Sequence, residues 1–291
     1  MIRLLLFAML LAAPASAHEI RLAADAGGGV WDAVTTTLLT TLAVLYVAGV
    51  TRLWLRAGVG HGVPRWRAAC FAGGMLTVVA SLLTPLHELG DRLFVAHMAQ
   101  HVLLMTVAAP LLALAAGHAA AVWAVPRAAR HPLAALAAPA RPLVRLDVAT
   151  ILHGLALWSW HLPSAYALAL AEEGMHWLQH ASLFGSALVF WQAVLGQRGV
   201  GSSGAAIFAL FLTALHSGML GVLLTFAPTP IYSGQSSAAH DWGLTLIEDQ
   251  QLAGLLMWVP GGLVYALAAL GLAAFWIRGS AGRNASLARP A

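Results

Sequence analysis

The sequence predicts an all-α fold, a polytopic membrane bundle of seven transmembrane helices that remains after an N-terminal signal peptide is removed. Three observations predict it: the composition, a series of seven apolar segments of spanning length, and the side of those segments on which arginine collects. Of the 291 residues, 60% are hydrophobic and 9% are charged, against about 25% charged in soluble domains. A chain of this length has room for one bundle and little else. The formal charge of +4 does not describe a nucleic-acid-binding surface, because the chain has no lysine and its arginines sit in short connections. A single cysteine, Cys70, excludes an internal disulfide framework and a multi-thiolate metal site, and reads as a packing residue.

The elements follow in order. Arg3 precedes an apolar run from Leu4 to Ala13, shorter than the roughly 20 residues a bilayer requires. Ala15, Ser16 and Ala17 supply the small-residue pattern of a signal-peptidase site. Residues 1–17 therefore read as a signal peptide, 18–32 as a periplasmic segment, 33–277 as the membrane domain and 278–291 as a cytoplasmic tail. The seven apolar segments cover residues 33–55, 66–84, 92–115, 144–162, 176–195, 205–226 and 245–277. Turn formers fill residues 58–64, 85–90, 141–142 and 228–234. Residues 116–141 are long enough for an interfacial segment, for which Trp123 and its flanking arginines are suited.

Charge tests this division independently. With the mature N-terminus outside, Arg52, Arg56, Arg65 and Arg67 fall in the first inner connection. Arg127, Arg130, Arg141 and Arg145 fall near the second, Arg198 in the third, and Arg278, Arg283 and Arg289 in the tail. Arg21 and Arg92 remain outside, where ten of the eleven acidic residues also lie, Asp147 being the exception. That is the positive-inside bias of a multi-pass protein of a bacterial plasma membrane. Trp31, Trp160, Trp177 and Trp242 mark the outer interface, and Trp54, Trp66, Trp191 and Trp276 the inner one.

Thirteen histidines are many for so apolar a chain. His97 and His101 are one helical turn apart and share a face, with Met98 and Met105 within about 100° of it. His176 and His180 repeat the spacing just after Glu172 and Glu173. His153 and His161 lie in the fourth segment, His216 and Met219 in the sixth, and Glu248, Asp249, Gln250 and Gln251 open the seventh. On the expected topology all of these fall at mid-membrane or in the outer half. A central charge costs about 2.5–3.5 kcal/mol on insertion scales, so one shared site explains such a collection better than separate accidents. The plainer readings are hydration of His176 and His180 at the interface, an interhelical hydrogen bond from His153, and packing for Met98, Met105 and Met219.

Histidine and methionine without thiolate suit copper first. Zinc also accepts histidine and carboxylate, and histidines on facing helices can ligate haem iron. Spacing leaves these alternatives open. Adjacent Glu248 and Asp249 point about 100° apart, so one can approach the site or orient a ligand while the other faces the headgroups. No nucleophile–base pair or hydrolase motif appears, so the chain does not read as an enzyme.

Together these stretches resemble the multi-span CtaG family, assembly factors for caa-type cytochrome c oxidase. The resemblance runs through His97-Met98-Ala99-Gln100-His101, through His161-Leu162-Pro163 to His176 and His180, and from His216 to Tyr232. The most specific stretch is Glu248-Asp249-Gln250-Gln251-Leu252-Ala253-Gly254, leading into Met257-Trp258-Val259-Pro260-Gly261-Gly262. Members usually hold glycine where this chain has Ala253, a small-for-small difference. The resemblance implies a role in maturing a terminal oxidase, with its subunits as partners and its copper centres as the connection. The combined expectation is a copper site with His97, His101 and His216 as central ligands and His161, His176 or His180 as entry ligands. Met98 and Met105 are candidate soft ligands, and Asp249 or Glu248 would stand behind the histidines. Pro260-Gly261-Gly262 could break the seventh helix beneath the site and allow movement, or be tolerated there for ordinary packing reasons.

Overall fold

The structure is a computed structural model and describes residues 28–197, 200–232, 234 and 238–287. The expected signal peptide, most of the expected periplasmic segment and the last residues of the tail lie outside them. The chain divides into two compact units, Met1–Leu38 and Leu39–Ala291. In the first unit the described residues are the opening turns of helix α1, Gly28–Ala57. The second unit holds everything discussed below.

The described residues form helices joined by short connections and contain no strand. After α1 come α2 (Arg65–Leu82), the short α3 (Pro85–Gly90) and α4 (Phe94–Val102), which continues through a π-helical stretch, Leu103–Ala108, into α5 (Ala109–Leu114). Then follow α6 (Gly117–Ala124), α7 (Arg127–Ala137), a 3-10 stretch (Ala138–Val144), α8 (Leu146–Trp160), α9 (Pro163–Ala171), α10 (Glu173–Leu195) and α11 (Val200–Thr225). A 3-10 turn at His240–Trp242 leads to α12 (Leu246–Leu256), a second π-helical stretch, Met257–Gly261, and α13 (Gly262–Leu287).

Helices stand at all seven positions expected from the apolar pattern. By length and apolarity, four are suited to cross a membrane: Gly29–Ala57, Phe94–Leu114, Ser203–Thr225 and Leu246–Arg278. The other three depart from that standard for visible reasons. At 15 residues α8 is about 22 Å long, short of a hydrocarbon core of about 30 Å. Helix α2 has 18 residues and opens on Arg65 and Arg67. Helix α10 is long enough at 23 residues, but carries His176, Gln179 and His180 on its buried face. Large apolar side chains point outward along the bundle, among them Leu42, Ile151, Leu155, Phe208, Phe211 and Leu267. Water would be a poor solvent for such a surface, which has the character of a membrane protein.

Three local expectations change, and the open stretch 116–141 takes a definite form. Residues 85–90 are helical: Thr84 accepts a hydrogen bond from the Leu86 amide and Pro85 sits in the first turn, the signals that start a helix. Helix α9 fills what read as a connection between the fourth and fifth segments. The stretch 116–141 forms two short helices, and Trp123 lies against both Arg56 and Arg130, 5.9 and 5.8 Å from its ring centre. Finally, Pro260 does not break the seventh helix. Proline lacks an N–H to donate, and a π-turn spanning Met257–Gly261 absorbs the lost bond, so the chain runs on into α13. A π-turn likewise precedes Pro110.

The main core gathers Met98, Met105, Leu157, Leu183, Phe190, Trp191, Leu210 and Tyr265 from five helices. Trp191 donates its indole N–H to the Met105 carbonyl at 2.9 Å and stacks on Tyr265. Helices α11 and α12 approach closely through glycine: a Cβ on Gly254 would lie 2.6 Å from the Gly221 carbonyl oxygen.

Candidate metal centre

Helix α4 determines the site, and its N-terminus is held from elsewhere. Leu93 occupies the N-cap position and has no side chain able to cap. Asp249 of α12 does this instead, its two carboxylate oxygens accepting from the Phe94 and Val95 amides at 2.9 Å each. A buried carboxylate on the positive end of a helix is favourable. It also sets the rotation of α4, so that His97 and His101, three and seven residues beyond Phe94, face inward.

Around them gather histidines from three further elements. His97 and His101 have ring centres 4.4 Å apart. His180 of α10 lies 4.9 Å from His101 and 5.6 Å from His97, and His176 lies 5.3 Å from His97. The Nε2 atoms of His176 and His180 are 3.1 Å apart. That contact is a hydrogen bond, and its length is near the roughly 3.3 Å between two nitrogens on one tetrahedral ion, so little movement would let an ion replace the shared proton. One ligand atom each from His97, His176 and His180 can be chosen so that all lie within 4.8 Å of one another.

His161, at the C-terminus of α8, sits within electrostatic range of His97 and His101. Its Nδ1 lies 2.7 Å from the Leu157 carbonyl. A carbonyl only accepts, so Nδ1 carries the proton and Nε2 keeps its lone pair. The backbone at His161 is fixed in turn by Gln250 of α12. Its Oε1 accepts from the Ile231 amide at 2.6 Å, which seats Tyr232, and the Tyr232 hydroxyl donates to the His161 carbonyl. Burial pushes the Tyr232 phenol up to about 12, so it remains a donor throughout the physiological range. Tyr166 and Phe94 complete an aromatic wall beside His97.

Both ring nitrogens of His97, both of His101, Nε2 of His161 and Nδ1 of His180 are buried without a hydrogen-bond partner. The Gln179 amide faces His97, outside strict hydrogen-bond geometry. Buried polar atoms are nearly always paired, and leaving one unpaired costs about 1–3 kcal/mol. Such a concentration of unpartnered imidazole nitrogens could hold a metal ion, and the chemistry of the donor set fits one.

The other expected residues are elsewhere. His216 does not join the cluster; it lies against Gly154 in a cleft that includes Thr150, Trp158 and Leu212. His153 hydrogen-bonds with Ser186 at 3.2 Å and Tyr265 at 3.3 Å, which links three helices. Met98 and Met105 pack into the apolar core, and Met219 is half exposed on the outside of α11. Glu248 is spent on a capping box with Thr245 at the exposed start of α12. Sequence reasoning missed His87. Its ring lies 5.5 Å from His176 and 6.0 Å from His180, and the Gln100 amide, itself donating to the Ser81 carbonyl at 2.7 Å, is 3.2 Å from its Nδ1. The helix-start signal at Thr84-Pro85 could have found it.

A family model described as cytochrome c oxidase caa3 assembly factor, Caa3_CtaG, matches residues 44–279. The chain belongs to this family. The match spans the residues of the histidine cluster, the Asp249 cap and the Gln250 tie. No curated protein and no solved structure matches the chain significantly.

Gly90 leaves the room that Gln100 occupies. A Cβ there would collide with the Gln100 Oε1 and come within 3.4 Å of the His97 Cα. Gly90→Ala is expected to destabilise the protein by about 1–3 kcal/mol, as overpacking of a tight core does. Thermal unfolding in detergent measures it, and a wild-type midpoint would show that Gln100 moves freely.

Proposed function

We propose that this Caa3_CtaG protein holds a copper ion as cargo near the outer face of the membrane and delivers it to cytochrome c oxidase. The ligands are His97, His176 and His180, joined by His101, with His161 at their edge. The observation that carries the reading is the group of buried ring nitrogens without hydrogen-bond partners, gathered about His97, His176 and His180, whose ligand atoms can all lie within 4.8 Å of one another. Imidazole accepts several first-row ions and binds copper most tightly among the divalent ones. The family's description, an oxidase assembly factor, makes copper the chemically sensible cargo and oxidase subunits the partners. Thioether is not needed, since Met98 and Met105 are occupied by packing.

The topology proposed with it has seven spans between residues 33 and 277, a signal peptide over 1–17, residues 18–32 in the periplasm of a bacterial cell and residues 278–291 in the cytoplasm. The seven helices and the arginine distribution support it. Beneath the cluster, His180 is followed on the buried face of α10 by Leu183, Ala187 and Phe190, and His101 on α4–α5 by Leu104, Met105 and Ala108. This apolar plug suits a carrier that returns its ion to the side it came from, and argues against a transporter. Rings already in mutual contact leave no slot for a porphyrin, which argues against haem.

X-ray absorption of the copper-loaded protein in detergent tests the reading. Nitrogen scatterers and no sulfur are expected at one ion per chain. A Soret band in the protein as isolated, or zinc retained against a copper excess, would sink it.

A further inference from the structure

His176 presents its two ring nitrogens to different surroundings. Nε2 lies 3.1 Å from His180 Nε2, facing the deep cluster. Nδ1 lies 3.8 Å from Asp91 Oδ1, facing the edge. His87, Asp91 and His176 form a second trio whose ligand atoms can all lie within 4.8 Å of one another. Exposure falls along this line: the Asp91 side chain is 54% exposed and that of His176 11%, while His180 and His97 are buried. Glu88, Glu172 and Glu173 add exposed carboxylates on neighbouring turns, against Arg92.

We propose that His87, Asp91 and His176 form a loading station for a copper ion at the rim, from which His176 passes the ion to His180 and His97. The proposal rests on the copper-carrier reading above. A neutral imidazole offers one lone pair, so His176 serves one station at a time and the two are filled in succession by the same ion. At the rim the ion is held by Nδ1 of His176, whose Nε2 then carries the ring proton in a hydrogen bond to His180, and by His87 once its Nδ1 gives up the hydrogen bond it accepts from the Gln100 amide. When the ion moves inward onto Nε2, that ring proton transfers to Nδ1, where the Asp91 carboxylate accepts its hydrogen bond. No electron moves and no bond other than the metal–ligand and N–H bonds changes. Asp91 thus acts first as a ligand and then as the carboxylate that fixes the tautomer of a metal-bound histidine. Its charge, at the mouth of a low-dielectric site, also draws the cation in.

The test is stopped-flow loading of the full chain in detergent from the copper(I) complex of a coloured chelator, together with metal content at equilibrium. Asp91→Asn and His87→Ala are each expected to slow loading by about tenfold or more, and Asp91→Asn to flatten its dependence on ionic strength. In His87→Ala equilibrium content should stay at one ion per chain, because the deep cluster sets it. Unchanged loading rates in both variants would overturn the station. So would loss of equilibrium content in His87→Ala at wild-type helicity, since that rim residue would then belong to the retained site. Retention of full copper by a variant lacking His97 and His101 would instead overturn the carrier reading itself, so the two failures are distinguishable.

Discussion

Replacing both His97 and His101 with alanine is expected to weaken copper binding by more than about a hundredfold and to leave the client oxidase short of copper. Loss of a partner that merely orients a ligand already costs about 10–100-fold in metal affinity, and here two ligands go. The same change should cost little stability in the metal-free protein. Truncating two buried rings opens cavities, which is unfavourable. It also removes four ring nitrogens that are buried without hydrogen-bond partners, each carrying about 1–3 kcal/mol of desolvation cost. The metal-free variant is therefore expected to unfold no earlier than the metal-free wild type, while the added stability that copper confers on the wild type disappears. Thermal unfolding with and without copper, paired with copper analysis of the oxidase, reads both effects. A double variant that keeps full copper and supports normal oxidase maturation would remove the site assignment.

Asp249→Ala should be the most damaging change outside the histidines, although this carboxylate need not touch the ion. It leaves the Phe94 and Val95 amides without their acceptor at a buried helix end. Hydrogen bonds to a charged group are worth about 1.5–3 kcal/mol each, and an orphaned donor costs a similar amount, so about 3–5 kcal/mol is expected in total. His97 lies one turn further along the same helix, so copper affinity should fall about 10–100-fold as its imidazole loses its fixed position. Asp249→Asn keeps one carbonyl acceptor and should fall between. Glu248→Ala is the control, because its carboxylate caps the exposed start of its own helix and should leave copper affinity unchanged. Chemical unfolding and copper titration of the three variants make the comparison. Equal behaviour of the Asp249 and Glu248 variants would show that the cap does not position the site.

The Glu248-Asp249-Gln250 stretch shows how far one line of text carries. Its cost in an apolar segment was legible, and so was the inability of Glu248 and Asp249 to share one face. Their division of labour was not. Glu248 closes a box on its own helix, Asp249 reaches α4, and Gln250 reaches the loop that holds His161, three targets far apart in sequence. The two prolines make the same point. Pro260 was visible as an interruption, but whether a helix breaks or widens into a π-turn depends on what packs around it.

The composition, the helical positions, the arginine bias and the pairing of His97 with His101 and His176 with His180 were all legible from the chain alone. Composition and charge bias need only the order of residues along the chain, and the pairings rest on spacing within a single helix, where 3.6 residues per turn assigns a face without reference to any neighbour. Tertiary structure decided that His87 and His161 join those pairs while His216 turns toward Gly154, and that methionine sulfur stays in the core. Those outcomes depend on the rotation of each helix about its own axis relative to the others. That rotation follows from contacts such as the Asp249 cap on α4 and the Gly221–Gly254 approach, between residues that the linear pattern leaves unrelated.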